Sequence, residues 1–160
     1  MKLLKDGVVT LIEAYSMLDF VNLFYENKGD FACQVGDILQ RSYINDLKFN
    51  NGKPVNDKIK ILLYLKDCKY IGFQAYEIKY HTLHLCCIYV EEAEQNKGVG
   101  FKLSDYAIIN GLNGNCEIVS ATIGKSSEAL INKLIKKYSD IKFDITYKQL
   151  SWLDNVEDQC

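Results

Sequence analysis

Leu83-His84-Leu85-Cys86-Cys87-Ile88-Tyr89-Val90, followed shortly by Glu94-Gln95-Asn96-Lys97-Gly98-Val99-Gly100, is the stretch on which the reading of this chain turns. The first part is a short apolar run of strand length, Leu83 to Val90. The second is a glycine-containing turn that opens a helix over Gly98 to Leu112. Glycines there let the backbone turn tightly and a ligand approach closely. The first N–H groups of a helix have no internal partner. The helix start also carries roughly half a positive charge. Together these make a turn suited to an anion such as phosphate. It is neither G-x-x-x-x-G-K-[ST] nor G-x-G-x-x-G, so the P-loop and the dinucleotide fingerprint are both excluded.

Working outward, Ile59 to Lys66 and Tyr70 to Tyr80 read as strands, with turns at Asp67-Cys68-Lys69 and His81-Thr82. With Leu83 to Val90 they form an antiparallel meander. Downstream, Cys116 to Ile123 is a strand, Ser127 to Tyr138 a helix and Phe143 to Trp152 a strand. The strand–helix–strand unit from Leu83 to Ile123 predicts a right-handed crossover and parallel neighbours. Parallel pairing is expected only there, giving a mixed, mostly antiparallel sheet flanked by helices, an α+β domain. Upstream, Thr10-Leu11-Ile12-Glu13 has capping-box spacing, and Leu11, Tyr15, Leu18, Val21 and Tyr25 recur near helical period. A helix over Leu11 to Glu26 is expected, then a second through Val35, Ile38, Leu39 and Tyr43, and a loop at Asn50 to Pro54.

The chain has 160 residues, 48% hydrophobic and 25% charged. That fits one globular domain over residues 1–160. A net charge of −2 gives no electrostatic case for nucleic acid. No apolar run approaches the roughly 20 residues of a membrane span. The charges of Lys2, Lys5 and Asp6 come too early for a signal peptide, so a cytoplasmic location is expected. The single proline and the abundance of Lys, Ile, Asn and Tyr suggest AT-rich coding, as in a phage or a low-GC bacterium. The six cysteines (Cys33, Cys68, Cys86, Cys87, Cys116, Cys160) show no metal-ligand spacing, so no metal and no disulfide is expected. The adjacent Cys86 and Cys87 read as small buried hydrophobes.

Gln95-x-x-Gly98-x-Gly100 resembles the Q/R-x-x-G-x-G/A signature of the GNAT acetyltransferase superfamily. The spacing from Val90 to Gln95 and the order of helix, strand and helix that follows are similar to the family's. The likeness covers about Lys58 to Trp152. It implies the GNAT fold and acetyl-coenzyme A as co-substrate. By resemblance, Gln95, Asn96, Lys97, Gly98, Val99 and Gly100 cradle the pyrophosphate of coenzyme A. The pantetheine arm lies where the two central strands splay, against main chain at Ile88, Tyr89 and Val90. A main-chain N–H there stabilises the oxyanion of the reaction.

Acetyl transfer by direct attack needs a deprotonated amine. His84 lies six residues before Val90, where some members of the family carry a histidine or a glutamate base. An ordinary histidine pKa of about 6.5 suits that work. A strand histidine bonded to backbone or solvent is the alternative. Strict alternation would put His84, Cys86, Ile88 and Val90 on one face, unless a β-bulge intervenes. His81 reads as a surface residue in a turn. The family's N-x-x-A-x-x-x-Y pattern maps onto Ser126, Ala129 and Lys133. Ser126 could bond the pantetheine, but Lys133 stands where the family's acidic tyrosine belongs. Tyr138, five residues on, reads as a packing residue. Two functions follow: an N-acetyltransferase acting on a small-molecule or protein amine, or a GNAT fold kept as a binding or structural module. A homodimer is left open.

Overall fold

The computed structural model describes residues 2–4, 7–13 and 59–148. Its strands are β1 (Lys2–Leu4), β2 (Gly7–Glu13), β3 (Lys60–Lys66), β4 (Lys69–Lys79), β5 (Thr82–Val90), β6 (Ile118–Ile123) and β7 (Lys142–Tyr147). Helix α1 (Val99–Asn113) joins β5 to β6, and α2 (Glu128–Lys137) joins β6 to β7. Among the described residues the strands form one sheet in the order β1-β2-β3-β4-β5-β6-β7. The domain is α+β with a mixed, mostly antiparallel sheet, as the sequence implies.

The meander is built by two tight turns. Asp67-Cys68 and Tyr80-His81 both place two successive residues at positive φ, the backbone twist that suits two-residue hairpins. The second turn therefore falls one residue earlier than expected, and Thr82 already belongs to β5. Ile61-Leu62-Leu63-Tyr64 of β3 is buried at every position. That explains why the segment reads as a continuous apolar run instead of an alternating one.

The main core lies between the sheet and the two helices. Val99, Leu103, Ala107 and Gly111 recur every four residues along α1 and are buried. They meet Leu62, Tyr76, Leu83 and Leu85 of the sheet, while Ile131 and Leu134 of α2 close the cluster. Full burial of Leu103 and Ile108 contributes about 2 kcal/mol each. A Cβ on Gly111 would lie 3.1 Å from Leu83, so only glycine lets α1 sit this close. The opposite sheet face carries Ile61, Leu63, Phe73 and Ala75, also fully buried.

Two expectations are corrected. Leu11 to Glu13 are not the start of a helix but the end of β2, antiparallel to β3 with Leu11 opposite Leu62. Val8, Val9, Thr10 and Ile12 are β-branched, which favours the pleated strand over the capping box. The remainder of that helix, the second helix and the loop at Asn50 to Pro54 lie outside the described residues. Parallel pairing is also not confined to β5 and β6, because β6 and β7 are parallel too. The same rule applies twice: each pair is joined by a helix, and a crossover returns the chain in the same direction. The strand expected to reach Trp152 is described as far as Tyr147. No helix among the described residues is long and apolar enough to cross a membrane.

Candidate active site

The site is created by an irregularity in β5. On β4, Tyr76 stands opposite Leu85 but Ala75 stands opposite Cys87, so Cys86 is an extra residue. This β-bulge reverses the faces along the strand. Leu83 and Leu85 before it point into the helical core. Ile88 and Val90 beyond it also lie on that side: a Cβ on Gly100 of α1 would be 3.4 Å from Ile88 and 3.8 Å from Val90. His84 lies on the other face, level with Glu77, and shares that face with Cys87 and Tyr89. The Tyr89 ring is 6.0 Å from that of Phe73 there. The alternation that would group His84 with Ile88 and Val90 is therefore overturned, and the bulge is the reason. Cys86 is exposed on it and is no buried hydrophobe; Cys87 is half-buried and Cys116 buried. Desolvation by its surroundings, and then the Glu77 carboxylate, push the Cys86 thiol up to about 12. A raised value disfavours the thiolate, the reactive form of a cysteine.

The bulge coincides with a parting of strands. The parallel ladder pairs His84 with Ser120 and Leu85 with Ala121, and ends there. Ile88 and Val90 lie past its last pair. Just before the gap, the Ser120 hydroxyl is hydrogen-bonded to His84 Nδ1. Asp144 stands next to Ser120 on β7. Glu77, His84, Ser120 and Asp144 thus form a row across four strands. They line an open groove of about 500 Å³ with Thr82, Thr122 and Thr146 among the other walls. The sequence reading singled out His84 but not Ser120, Glu77 or Asp144. Only the register from β4 to β7 brings these three beside it.

The turn after β5 is held from within. Glu91 N–H donates to Ile71 O at 2.8 Å, and the Gln95 side chain donates to Val90 O at 3.1 Å. The Gln95 amide thus closes the turn. Asn96 and Gly98 follow at φ 61° and 84°. Gly98 is the N-cap of α1, and no side chain caps the helix. The first intrahelical bond runs from Lys102 N–H to Gly98 O. The N–H groups of Val99, Gly100 and Phe101 precede it and are the helix's open donors. Nothing lies within 4 Å of the place a Gly98 Cβ would take, so the backbone at the helix start is open there. The Val99 side chain is buried in the core and offers only its main chain. Lys97 Nζ lies 3.5 Å from Glu94 Oε2, which also bonds Lys66 at 3.1 Å. The Lys66 hydrogen bond is the main cause holding the Glu94 carboxyl below its usual range.

The start of α2 is plainer. Ser126 is exposed in the 3₁₀ turn Lys125–Ser127, and Lys133 is exposed one turn and more along the helix. Tyr138 caps α2, and its hydroxyl donates to Asp105 of α1 at 2.5 Å. Burial first, then Asp105, raise its pKa. It packs the two helices together, as the sequence suggests. His81 is exposed in its turn, with Nδ1 3.1 Å from Asn115 O.

The fold is matched by solved structures. Among solved structures, an integron cassette protein from the mobile metagenome of V. cholerae superposes with a TM-score of 0.52 at 16% identity, covering 97% of this chain and 99% of its own. An aminoglycoside acetyltransferase from an uncultured soil metagenomic sample, in complex with sisomicin, gives 0.53 at 12% identity over 91% of this chain and 95% of its own. At such identities the likeness is one of fold. No curated protein matches the sequence. The family model described as the acetyltransferase (GNAT) family matches residues 25–134, which takes in β3 to β6, the greater part of α2 and the whole glycine turn. The chain belongs to the GNAT acetyltransferase family.

Proposed function

We propose that this protein is an N-acetyltransferase that passes the acetyl group of acetyl-coenzyme A directly to an amine. The observation that carries the reading is a juxtaposition. The β5–β6 ladder stops at Leu85 and Ala121, beside a histidine on one face and an uncapped helix start at the strand's end. The fit to coenzyme A is a matter of donors. The N–H groups of Val99, Gly100 and Phe101, beside the open backbone at Gly98, suit a pyrophosphate. Gln95 shapes the turn, Asn96 supplies its positive φ, and Lys97 adds charge that it shares with Glu94. Main chain at Ile88, Tyr89 and Val90 borders the gap for the pantetheine arm, and Ser126, exposed at the start of α2, is the side chain proposed to bond it.

The co-substrate supplies an activated acyl group. The chain's own residues prepare the other reactant. Glu77 and Asp144 draw an ammonium group into the groove, and His84 removes its proton, directly or through one water. Ser120 fixes the imidazole at Nδ1, leaving Nε2 to act. A main-chain N–H beyond the bulge donates to the thioester oxygen as negative charge develops there. No protein acid is needed: a thiol with a pKa of about 8.5 leaves tolerably unaided. That fits Lys133 at the family's tyrosine position and Tyr138 bound to Asp105.

A groove of about 500 Å³ suits a small molecule bearing amines, and the aminoglycoside acetyltransferase of like fold makes aminosugars the first class to test. Free coenzyme A release should be followed with aminosugars, polyamines, arylalkylamines and peptides. Release with one class supports the proposal. Coenzyme A binding without release for any amine would select the alternative, a fold kept for binding, for which Lys133 is the one favouring observation.

A further inference from the structure

We propose that Gln74 and Ser104 are positioning residues for His84 that act through the β5 bulge. They are the buried polar side chains among the described residues, 2% and 1% exposed. Burying an amide and a hydroxyl is unfavourable unless both are hydrogen-bonded. Here they are. Ser104 of α1 donates to Gln74 Oε1 at 2.9 Å. Gln74 Nε2 donates to Ala75 O and to Cys87 O, each at 2.9 Å. Those two carbonyls belong to the residue pair that borders the register slip.

The geometry gives the pair a task. A bulge takes backbone groups out of the ladder. A buried carbonyl left without a donor costs about 1–3 kcal/mol. In a regular ladder the Gln74 amide would have no such work. The two ends of β5 are each pinned: Leu83 and Leu85 in the helical core, Ile88 and Val90 beside Gly100. Both ends show the same face, yet an odd number of steps separates Leu85 from Ile88. The change of face must be absorbed between them. Gln74, anchored to α1 through Ser104, places it at Cys86. If the slip moved toward Thr82, His84 would exchange faces with a core leucine and leave Ser120. The orientation of His84 is thus set from behind the sheet, by residues that do not touch the groove.

The test reads His84 itself. The protein has two histidines, so nitrogen-15 NMR resolves both, and His84→Ala assigns them. In Gln74→Leu the His84 Nδ1 signal should lose its hydrogen-bonded position and move to that of Ser120→Ala, while His81 stays unchanged. Ser104→Ala should give a smaller move the same way, and it serves if Gln74→Leu fails to fold. In Gln74→Glu the carboxylate accepts from Ser104 but cannot donate to Ala75 O or Cys87 O, so at neutral pH the His84 signal should move as in Gln74→Leu. A folded variant of either position with wild-type His84 signals overturns the proposal. The kinetic arm rests on the reading of His84 as base: kcat should fall about 10–100-fold. KM for acetyl-coenzyme A should move by less than about threefold, because Ile88 and Val90 keep their places. A moved His84 signal with undiminished turnover would uphold the positioning role and remove His84 as the base.

Discussion

Gly98→Ala separates the cost of a backbone conformation from the cost of blocking a ligand. Gly98 sits at φ 84° and ψ 2°, in the left-handed region. An alanine there is strained by about 1–2 kcal/mol. The added Cβ meets no atom within 4 Å, so no steric term is added. A domain with an ordinary 5–15 kcal/mol of stability stays folded. On the proposed reading the pyrophosphate reaches the N–H groups of Val99, Gly100 and Phe101 past Gly98, and an added methyl group would stand in its way. Losing one hydrogen bond between such a donor and a charged phosphate costs about 1.5–3 kcal/mol. That corresponds to a rise of about 10- to 150-fold in Kd for coenzyme A. Calorimetric titration of coenzyme A into wild type and variant measures it, with a thermal melt on each to show the fold is kept. A folded Gly98→Ala protein that binds coenzyme A within twofold of wild type would show that the pyrophosphate is held elsewhere.

His84→Ala should lower turnover by about 10²–10⁴-fold with coenzyme A affinity nearly unchanged, measured by steady-state kinetics beside calorimetry. Full turnover in that variant would move the base to a water or to another carboxylate. Tyr138→Phe should leave turnover intact and cost about 1 kcal/mol of stability in a denaturant melt at neutral pH. Its hydroxyl has a raised pKa in the fold, so the neutral form is the stabilising one. That contribution is fully present below the ordinary tyrosine value of about 10 and is lost as pH rises beyond it, a loss the variant should not show. Glu94→Gln removes a carboxylate beside the cradle and frees Lys97. Coenzyme A should bind about two- to fivefold tighter at low salt, with the gain shrinking as salt is added.

The parts of this fold that depend on local chemistry could be read from the sequence. The continuous apolar run Ile61 to Tyr64, the hairpin turns and the glycine-opened helix each carry their cause in neighbouring residues. The N-terminal strand did not, because Thr10 and Glu13 satisfy a helix cap by spacing while their β-branched neighbours favour a strand. Long-range pairing with β3 decides between the two. The candidate site divides in the same way. The cradle is one continuous stretch and is visible as a motif. The groove is assembled by register across four strands, so His84 could be suspected alone but Ser120 and Asp144 could not be placed beside it. Gln74 and Ser104 are 30 residues apart and join only through the packing of α1 on β4.

The position of the site follows from where the sheet changes direction. From β1 to β5 each strand pairs antiparallel with the next, and from β5 onward the pairs are parallel. From β3 to β5 each antiparallel neighbour is reached by a tight turn, which keeps the two strand ends together. A parallel neighbour is reached through a helix that must start at the far end of the first strand. At β5 that end has no hairpin to hold it to β6, and the ladder stops just before the bulge at Cys86. Two consequences arise at one place. Main chain of β5 is released from the ladder to meet another molecule, and α1 begins there with its open N–H groups. Ligands of open sheets with parallel strands gather outside the carboxyl ends for this reason. The groove side chains need only stand close to the last paired level, as His84 and Ser120 do one pair before it, to face whatever the gap holds.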